Sequence, residues 1–205
     1  MTPLCYIPAM ATPYDHELVG GHPALDFLNT IHDWMAEEPR DYLTDFSDAI
    51  RFGEAVGLLT RSEALRLGRM PAGAECARLR RLRLSLERMF RARVDGVSPE
   101  DSDLADLATV SVEVARAVEF LADGTGPFER AIPIDTVGAA ALRLRVADQA
   151  AELLCSPQLA RVKTCPSCGW FFIDASKNRS RRWCSMNTCG ASAKGKTYYR
   201  RTHSA

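Results

Sequence analysis

The sequence predicts a mainly α protein: a helical N-terminal domain with one short β-hairpin, then a small α+β module, hairpin plus helix, closed by four cysteines. Three observations carry that reading. Apolar residues recur at helical spacing through most of the first 160 residues. Two short β-like runs flank the turn Asp123-Gly124-Thr125-Gly126. The stretch CPSCGWFFIDASKNRSRRWCSMNTCG, residues 165–190, gathers four of the seven cysteines. The division falls after residue 160, giving a body of 1–160 and a module of 161–205.

The elements follow in order. From Leu25 to Met35 a helical wheel puts Asp26, Asn29, Thr30 and Asp33 on one side and Phe27, Leu28, Ile31, Trp34 and Met35 opposite, an amphipathic helix. FSDAIRFGEAVGLL, residues 46–59, reads as a second helix, and Thr60 to Glu63 has the form of a capping box opening a third. Residues 72–94 make a long helix with Leu79, Leu82, Leu86, Met89, Phe90 and Val94 on one stripe. Ser98-Pro99-Glu100 reads as an N-cap, a proline at the first helical position and an early acid, opening a helix to about Arg116. Residues 118–132 form the hairpin, and 136–156 the last long helix before the cysteines. There is no internal repeat and no low-complexity linker, so body and module are expected to pack together.

At 205 residues, with 46% hydrophobic and 25% charged content, the composition is that of a globular protein. No apolar run approaches the roughly 20 residues of a membrane helix. The first residues have neither a basic n-region nor a clean apolar core, which predicts no signal peptide and a cytoplasmic location. Thiols stay reduced there, and clustered cysteines more often bind metal than form disulfides.

The net charge of zero hides a division. Residues 161–205 hold ten Lys or Arg against one acid, Asp174, a charge of +9, so the first 160 residues carry −9. All four lysines lie in the C-terminal part. Such asymmetry points to a polyanionic partner at the basic end.

Cys165-Pro166-Ser167-Cys168-Gly169 is a C-x₂-C turn whose backbone amides can point back at the sulfurs, and Cys184 and Cys189 form a C-x₄-C pair. Between them lie the β-like GWFFID and a polar loop, so a knuckle, a short hairpin and a second pair at the start of a helix from about Ser185 are expected. Four thiolates with no open position describe one structural zinc per chain, held by Cys165, Cys168, Cys184 and Cys189. Cys5, Cys76 and Cys155 stand apart, and Cys76 and Cys155 read as small core residues.

The pattern C-x₂-C-G-W-x-F-x-D-x-S-x-N-R-S-R-R, then W-C-S-M-x-x-C-G and a basic, tyrosine-containing helix, resembles the CGNR zinc-finger family. GGHPALDFLNT, residues 20–30, is similar to the opening of the ABATE domain, which accompanies that finger in bacterial proteins regarded as stress-induced transcription regulators. The resemblance implies a zinc-dependent DNA-binding module on a helical domain. The signature tetrapeptide reads Cys189-Gly190-Ala191-Ser192 here, so its Asn and Arg are absent. If that Arg meets a phosphate or base in relatives, this chain binds more weakly or with other specificity.

The expected DNA contacts are Arg179, Arg181 and Arg182 in the loop and Lys194, Lys196, Arg200 and Arg201 after Cys189. Arg78, Arg80, Arg81, Arg83, Arg88, Arg91 and Arg93 read instead as a solvated helix face with acids nearby. His22, Asp26, Asn29 and Asp33 either line a ligand pocket or cap and wet a helix start. No nucleophile elbow, Walker loop, dinucleotide motif or H-E-x-x-H appears, so the chain is not read as an enzyme. The leading expectation is a duplex-DNA-binding regulator whose body senses a small effector or joins two copies into a homodimer, with no membrane partner. A zinc-stabilised RNA-binding or protein-docking module is the alternative, and an enzyme with a structural zinc appendage is a third.

Overall fold

A computed structural model describes residues 17–122 and 124–195. The body contains α1 (Pro23–Leu28), α2 (Phe46–Ala55), α3 (Arg61–Leu67), α4 (Glu75–Asp95), α5 (Asp101–Ala117), α6 (Ile134–Val137) and α7 (Ala141–Cys155). An antiparallel hairpin, β1 (Glu119–Leu121) and β2 (Glu129–Ala131), sits between α5 and α6 with Phe120 opposite Arg130. The module adds a second antiparallel pair, β3 (Val162–Thr164) and β4 (Phe171–Ile173), in which Lys163 faces Phe172. The architecture is the mainly α body and small α+β module that the sequence predicts. Among the described residues no helix is long and apolar enough to cross a membrane.

α7 is the central element, packed against α1, α4 and α5. Its Leu142, Val146, Ala150 and Leu153 are buried with Phe27, Phe52, Leu86 and Phe90 from the helices around it. On α4 the expected stripe from Leu79 to Phe90 is buried, with Val94 packed at its edge. The α3 capping box forms as its residues dictate: the Thr60 hydroxyl accepts from the Glu63 N–H, and the Glu63 carboxylate accepts from the Thr60 N–H at 2.9 Å. That carboxylate also accepts from Arg145 at 2.6 Å. The Arg145 hydrogen bond, working against partial burial and aided by Thr60, brings Glu63 down to about 2.

Four local expectations are corrected. The first helix stops at Leu28 instead of reaching Met35, and Ile31 bridges to Asp41 as extended chain. The cause is tertiary: the Asn29 side chain is taken by Phe171 from the module, and Thr30 by Arg83 from α4. Helix α5 is capped at Glu100, two residues beyond Ser98. The C-x₂-C knuckle is itself the turn of the β3–β4 hairpin, with one strand on each side of it, rather than a unit preceding a hairpin. Cys155 is exposed and Cys76 partly exposed, so neither is a core residue; Cys5 lies outside the described residues.

Strand β4 joins the two parts through the alternation of its side chains. Phe171 points into the body, edge-on to Phe90, and Phe172 points the other way into a small cluster with Cys165 and Cys184. Successive residues of one short strand thus seal two cores.

A tetrathiolate centre docked on the N-terminal motif

The cysteine sulfurs converge. Those of Cys168, Cys184 and Cys189 are 3.6 Å from one another, and all four lie within 4.8 Å. A disulfide requires about 2.05 Å. Tetrahedral zinc with bonds near 2.3 Å sets sulfurs about 3.8 Å apart, which these distances match. The turn is built to hold thiolates: backbone N–H groups of Ser167 and Cys184 donate to the Cys165 sulfur, and that of Trp170 to Cys168. The Gly169 N–H closes on the Cys165 carbonyl at 2.8 Å. Gly169 adopts φ 72°, and a Cβ there would lie 2.9 Å from the Trp34 Cβ, so conformation and space both demand glycine. Cys189 sits in a π turn, Met186–Gly190, closed by Gly190 N–H on the Ser185 carbonyl, and residues 191–195 continue as helix. Cys165, Cys168, Cys184 and Cys189 hold one structural zinc.

The polar side of LDFLNT is the surface on which this centre docks. Asn29 pairs with the Phe171 backbone as a strand would, its Nδ2 donating to the carbonyl and its Oδ1 accepting from the N–H, both at 2.9 Å. The Gly20 carbonyl accepts from Ile173 N–H at 2.9 Å. Gly20 is itself pinned by donating to the Asp26 carboxylate at 2.8 Å, and a Cβ on it would meet the Asp26 backbone at 2.9 Å. Burial raises Asp26 to about 7 against the opposing backbone hydrogen bonds from Gly20 and Val19. The Trp34 N–H reaches the Cys168 carbonyl at 3.0 Å, and the Trp170 indole donates to Ile31 at 2.6 Å. His22 caps α1, its Nδ1 accepting from Ala24 N–H at 3.3 Å, and burial lowers its pKa to about 4, which keeps the ring neutral for that role.

Of the residues expected to line a pocket, His22, Asp26 and Asn29 therefore face inward, and Asp33 alone reaches a cavity. That cavity is a cleft of about 480 Å³ between body and module. Glu17, His32, Asp33 and Tyr42 line it on one side, Trp170 and Ser192 on the other, with Cys168, Cys184 and Cys189 on its wall. Sequence reasoning missed Glu17, Tyr42 and Trp170 there, because only the docking of the module brings them together.

The loop after β4 is organised by Asp174, the single acid of the module, which is fully buried. Lys163 donates to one of its oxygens at 2.6 Å and the Ser176 hydroxyl to the other at 2.6 Å. Burial would raise this carboxyl, but those bonds and the Ser176 N–H outweigh it and hold Asp174 well below the usual range. The Arg181 guanidinium lies over the Phe172 ring and donates to the carbonyls of Val19, Ile173, Trp183 and Cys184. Arg179, Arg182 and Lys194 are exposed, Arg182 resting on the Trp183 ring. Lys196, Arg200 and Arg201 lie outside the described residues.

Residues 21–157 match the ABATE family, described as "Putative stress-induced transcription regulator". The chain belongs to the ABATE family. Residues 161–202 match the CGNR zinc finger, so the finger on this ABATE protein begins where the last body helix has ended. No curated protein matches the sequence. In this ABATE chain, GGHPALDFLNT serves as the seat of the zinc centre.

Proposed function

We propose that this ABATE protein is a zinc-dependent transcription regulator that grips duplex DNA with the loop between β4 and Cys184 and the helix after Cys189. The working division is a body of residues 1–160, which presents that surface and senses a ligand, and a reader of residues 161–205. One observation supports the reading most: the cations of the module separate into two sets. Among the described residues, Arg161, Lys163 and Arg181 donate inward to Asp174 and to backbone carbonyls, while Lys177, Arg179, Arg182 and Lys194 stand exposed on the outside of the same loop and turn. Zinc and Asp174 preorganise the exposed set, and such side chains bind phosphates with little ordering cost on contact. In this reading Arg181 shapes the loop rather than touching DNA. Lys196, Arg200 and Arg201, outside the described residues, are added as phosphate contacts on the sequence charge alone. Ser192, in place of the signature arginine, leaves sequence selectivity to other residues of the helix.

The test is the salt dependence of binding to a labelled duplex, followed by fluorescence anisotropy. With about five phosphates neutralised, log K against log salt should have a slope of roughly −4.5. Single-stranded RNA of matched length should bind more weakly. Salt-independent binding, or a preference for the RNA, contradicts the reading and favours the RNA-binding or docking alternative.

A further inference from the structure

We infer that the cleft between body and module is a binding site for a small organic cation with a flat face, an amidine, guanidinium or aromatic amine. The inference rests on the sensing half of the reading above and names its ligand class. Charge is the first argument. Glu17 and Asp33 line the cleft, and among the described residues neither has an ion-pair partner and no lysine or arginine lines it. Three of the four zinc cysteines form its wall, and four thiolates around a dication leave two formal negative charges there. The walls of a partly enclosed, low-dielectric cleft focus that field on whatever enters.

Shape is the second argument. About 480 Å³ is the volume of a small-molecule site. Trp170 lines it, and a cation over an aromatic face gains further electrostatic attraction; the Tyr42 ring beside it already has the Arg40 guanidinium over it at 5.7 Å. His32 lines the same cleft and is hydrogen-bonded to the Tyr42 hydroxyl, which fixes that wall.

Position 192 is the third argument, and it points to the ligand's chemistry. The finger is named for the tetrapeptide Cys-Gly-Asn-Arg, and where that tetrapeptide has arginine this chain has Ser192, at the cleft. An arginine there would bring its own guanidinium to the carboxylates and thiolates. A serine leaves both the charge and the volume for a cation from solution. The cleft is walled by both parts of the molecule, so an occupant bears on how the module sits on the body.

The probe is benzamidine, with benzamide as its neutral isostere, added to zinc-loaded full-length protein without DNA and followed by ligand-observed NMR and calorimetry. Benzamidine should bind at least about tenfold more tightly than benzamide, and added salt should weaken it. Asp33→Asn keeps an acceptor for the Met35 N–H and should weaken benzamidine roughly tenfold. Ser192→Arg should abolish binding. Both variants are checked for one zinc per chain and an unchanged far-UV spectrum; if Ser192→Arg loses zinc, Asp33→Asn and the benzamide comparison decide. Equal binding of the two probes, or wild-type benzamidine affinity in Asp33→Asn, overturns the inference. Since no DNA is present, failure here leaves the salt-slope experiment standing, and failure there leaves this site standing.

Discussion

Two stretches of the chain are rich in arginine, residues 78–93 on α4 and 179–182 in the module, and their guanidinium groups meet opposite fates. On α4, Arg83 is buried and donates to Asp41 at 2.5 and 2.9 Å and to Thr30. Arg88 clamps Asp103, Arg91 pairs with Glu87 and lies over the Phe171 ring, and Arg80 donates to the Leu43 and Thr44 carbonyls. The body supplies acids in excess, so Arg78, Arg80, Arg83, Arg88 and Arg91 are spent on holding helices and loops together, while Arg81 and Arg93 are exposed. The module supplies only Asp174, which Lys163 and Ser176 already occupy, so Arg179 and Arg182 are left facing solvent. Counting arginines therefore says little about nucleic-acid binding. What counts is how many acids and carbonyls lie within reach.

Removing a zinc ligand tests the comparison from the module's side and should have the largest effect. Zinc contributes on the order of 10–16 kcal/mol to the fold of a small finger at neutral pH. Cys184→Ala should therefore lose the metal and unfold residues 161–195, scattering the exposed cations. Because Asn29 and Trp34 are bonded to Phe171 and Cys168, hydrogen exchange should accelerate at the Phe171 and Trp34 amides, while α4 and α5 stay protected. Retained zinc, or undisturbed protection at those two amides, would contradict the docked arrangement.

From the body's side, Arg83→Ala should cost about 3 kcal/mol in urea unfolding. It removes the closest cationic partner of Asp41, leaving only Arg80 at 3.5 Å, and the tie between α4 and the Thr30 loop. Well below the denaturation midpoint its affinity for DNA should equal wild type. A stability loss under about 1 kcal/mol would place this arginine with the solvated ones after all.

An effect of similar size concerns the Asp26 latch and is read in pH. An unfolded aspartate titrates near 3.8 and Asp26 in the fold at about 7, so its contribution to stability declines as pH rises between those values and is constant above. His22 works in the opposite direction, because its folded pKa of about 4 lies below the usual 6.5, and stability falls as pH drops through that window. The two slopes oppose each other between about pH 4 and 6.5, so the wild type should change little there. Asp26→Asn removes one of them. That variant should gain about 2–4 kcal/mol relative to wild type as pH rises from 4 to 8, measured by urea unfolding at each pH. A difference that does not change with pH would mean that Asp26 is ionised throughout.

How much of this was legible in the sequence varies with the range of the interactions concerned. The Thr60–Glu63 capping box, the α4 stripe and the C-x₂-C spacing depend on neighbours within a few residues, and each appears where its residues predict. The first helix misleads because its apolar spacing continues to Met35, while the residues that end it, Phe171 and Arg83, come from distant elements. The same limit applies to Asp26 and Asn29. Polar residues at helical spacing look alike whether they face water, a ligand or another backbone, and here the partners are Gly20 and Phe171. Arg181 and Arg182 are adjacent in sequence, yet only the folded loop separates the one turned onto carbonyls from the one turned outward.

The central claim, that exposed module cations bind DNA phosphates and body arginines do not, is tested most directly by the salt slopes of Arg182→Ala and Arg88→Ala beside wild type on one duplex. Arg182→Ala should keep its zinc and flatten the slope by about 0.9, one phosphate's share, on every sequence tried. Arg88→Ala, which loses the clamp on Asp103 and a long bond to the Ser85 hydroxyl, should leave the slope at the wild-type value. A flattened slope for Arg88→Ala together with an unchanged one for Arg182→Ala would contradict the account and move the DNA-binding face from the module to the body.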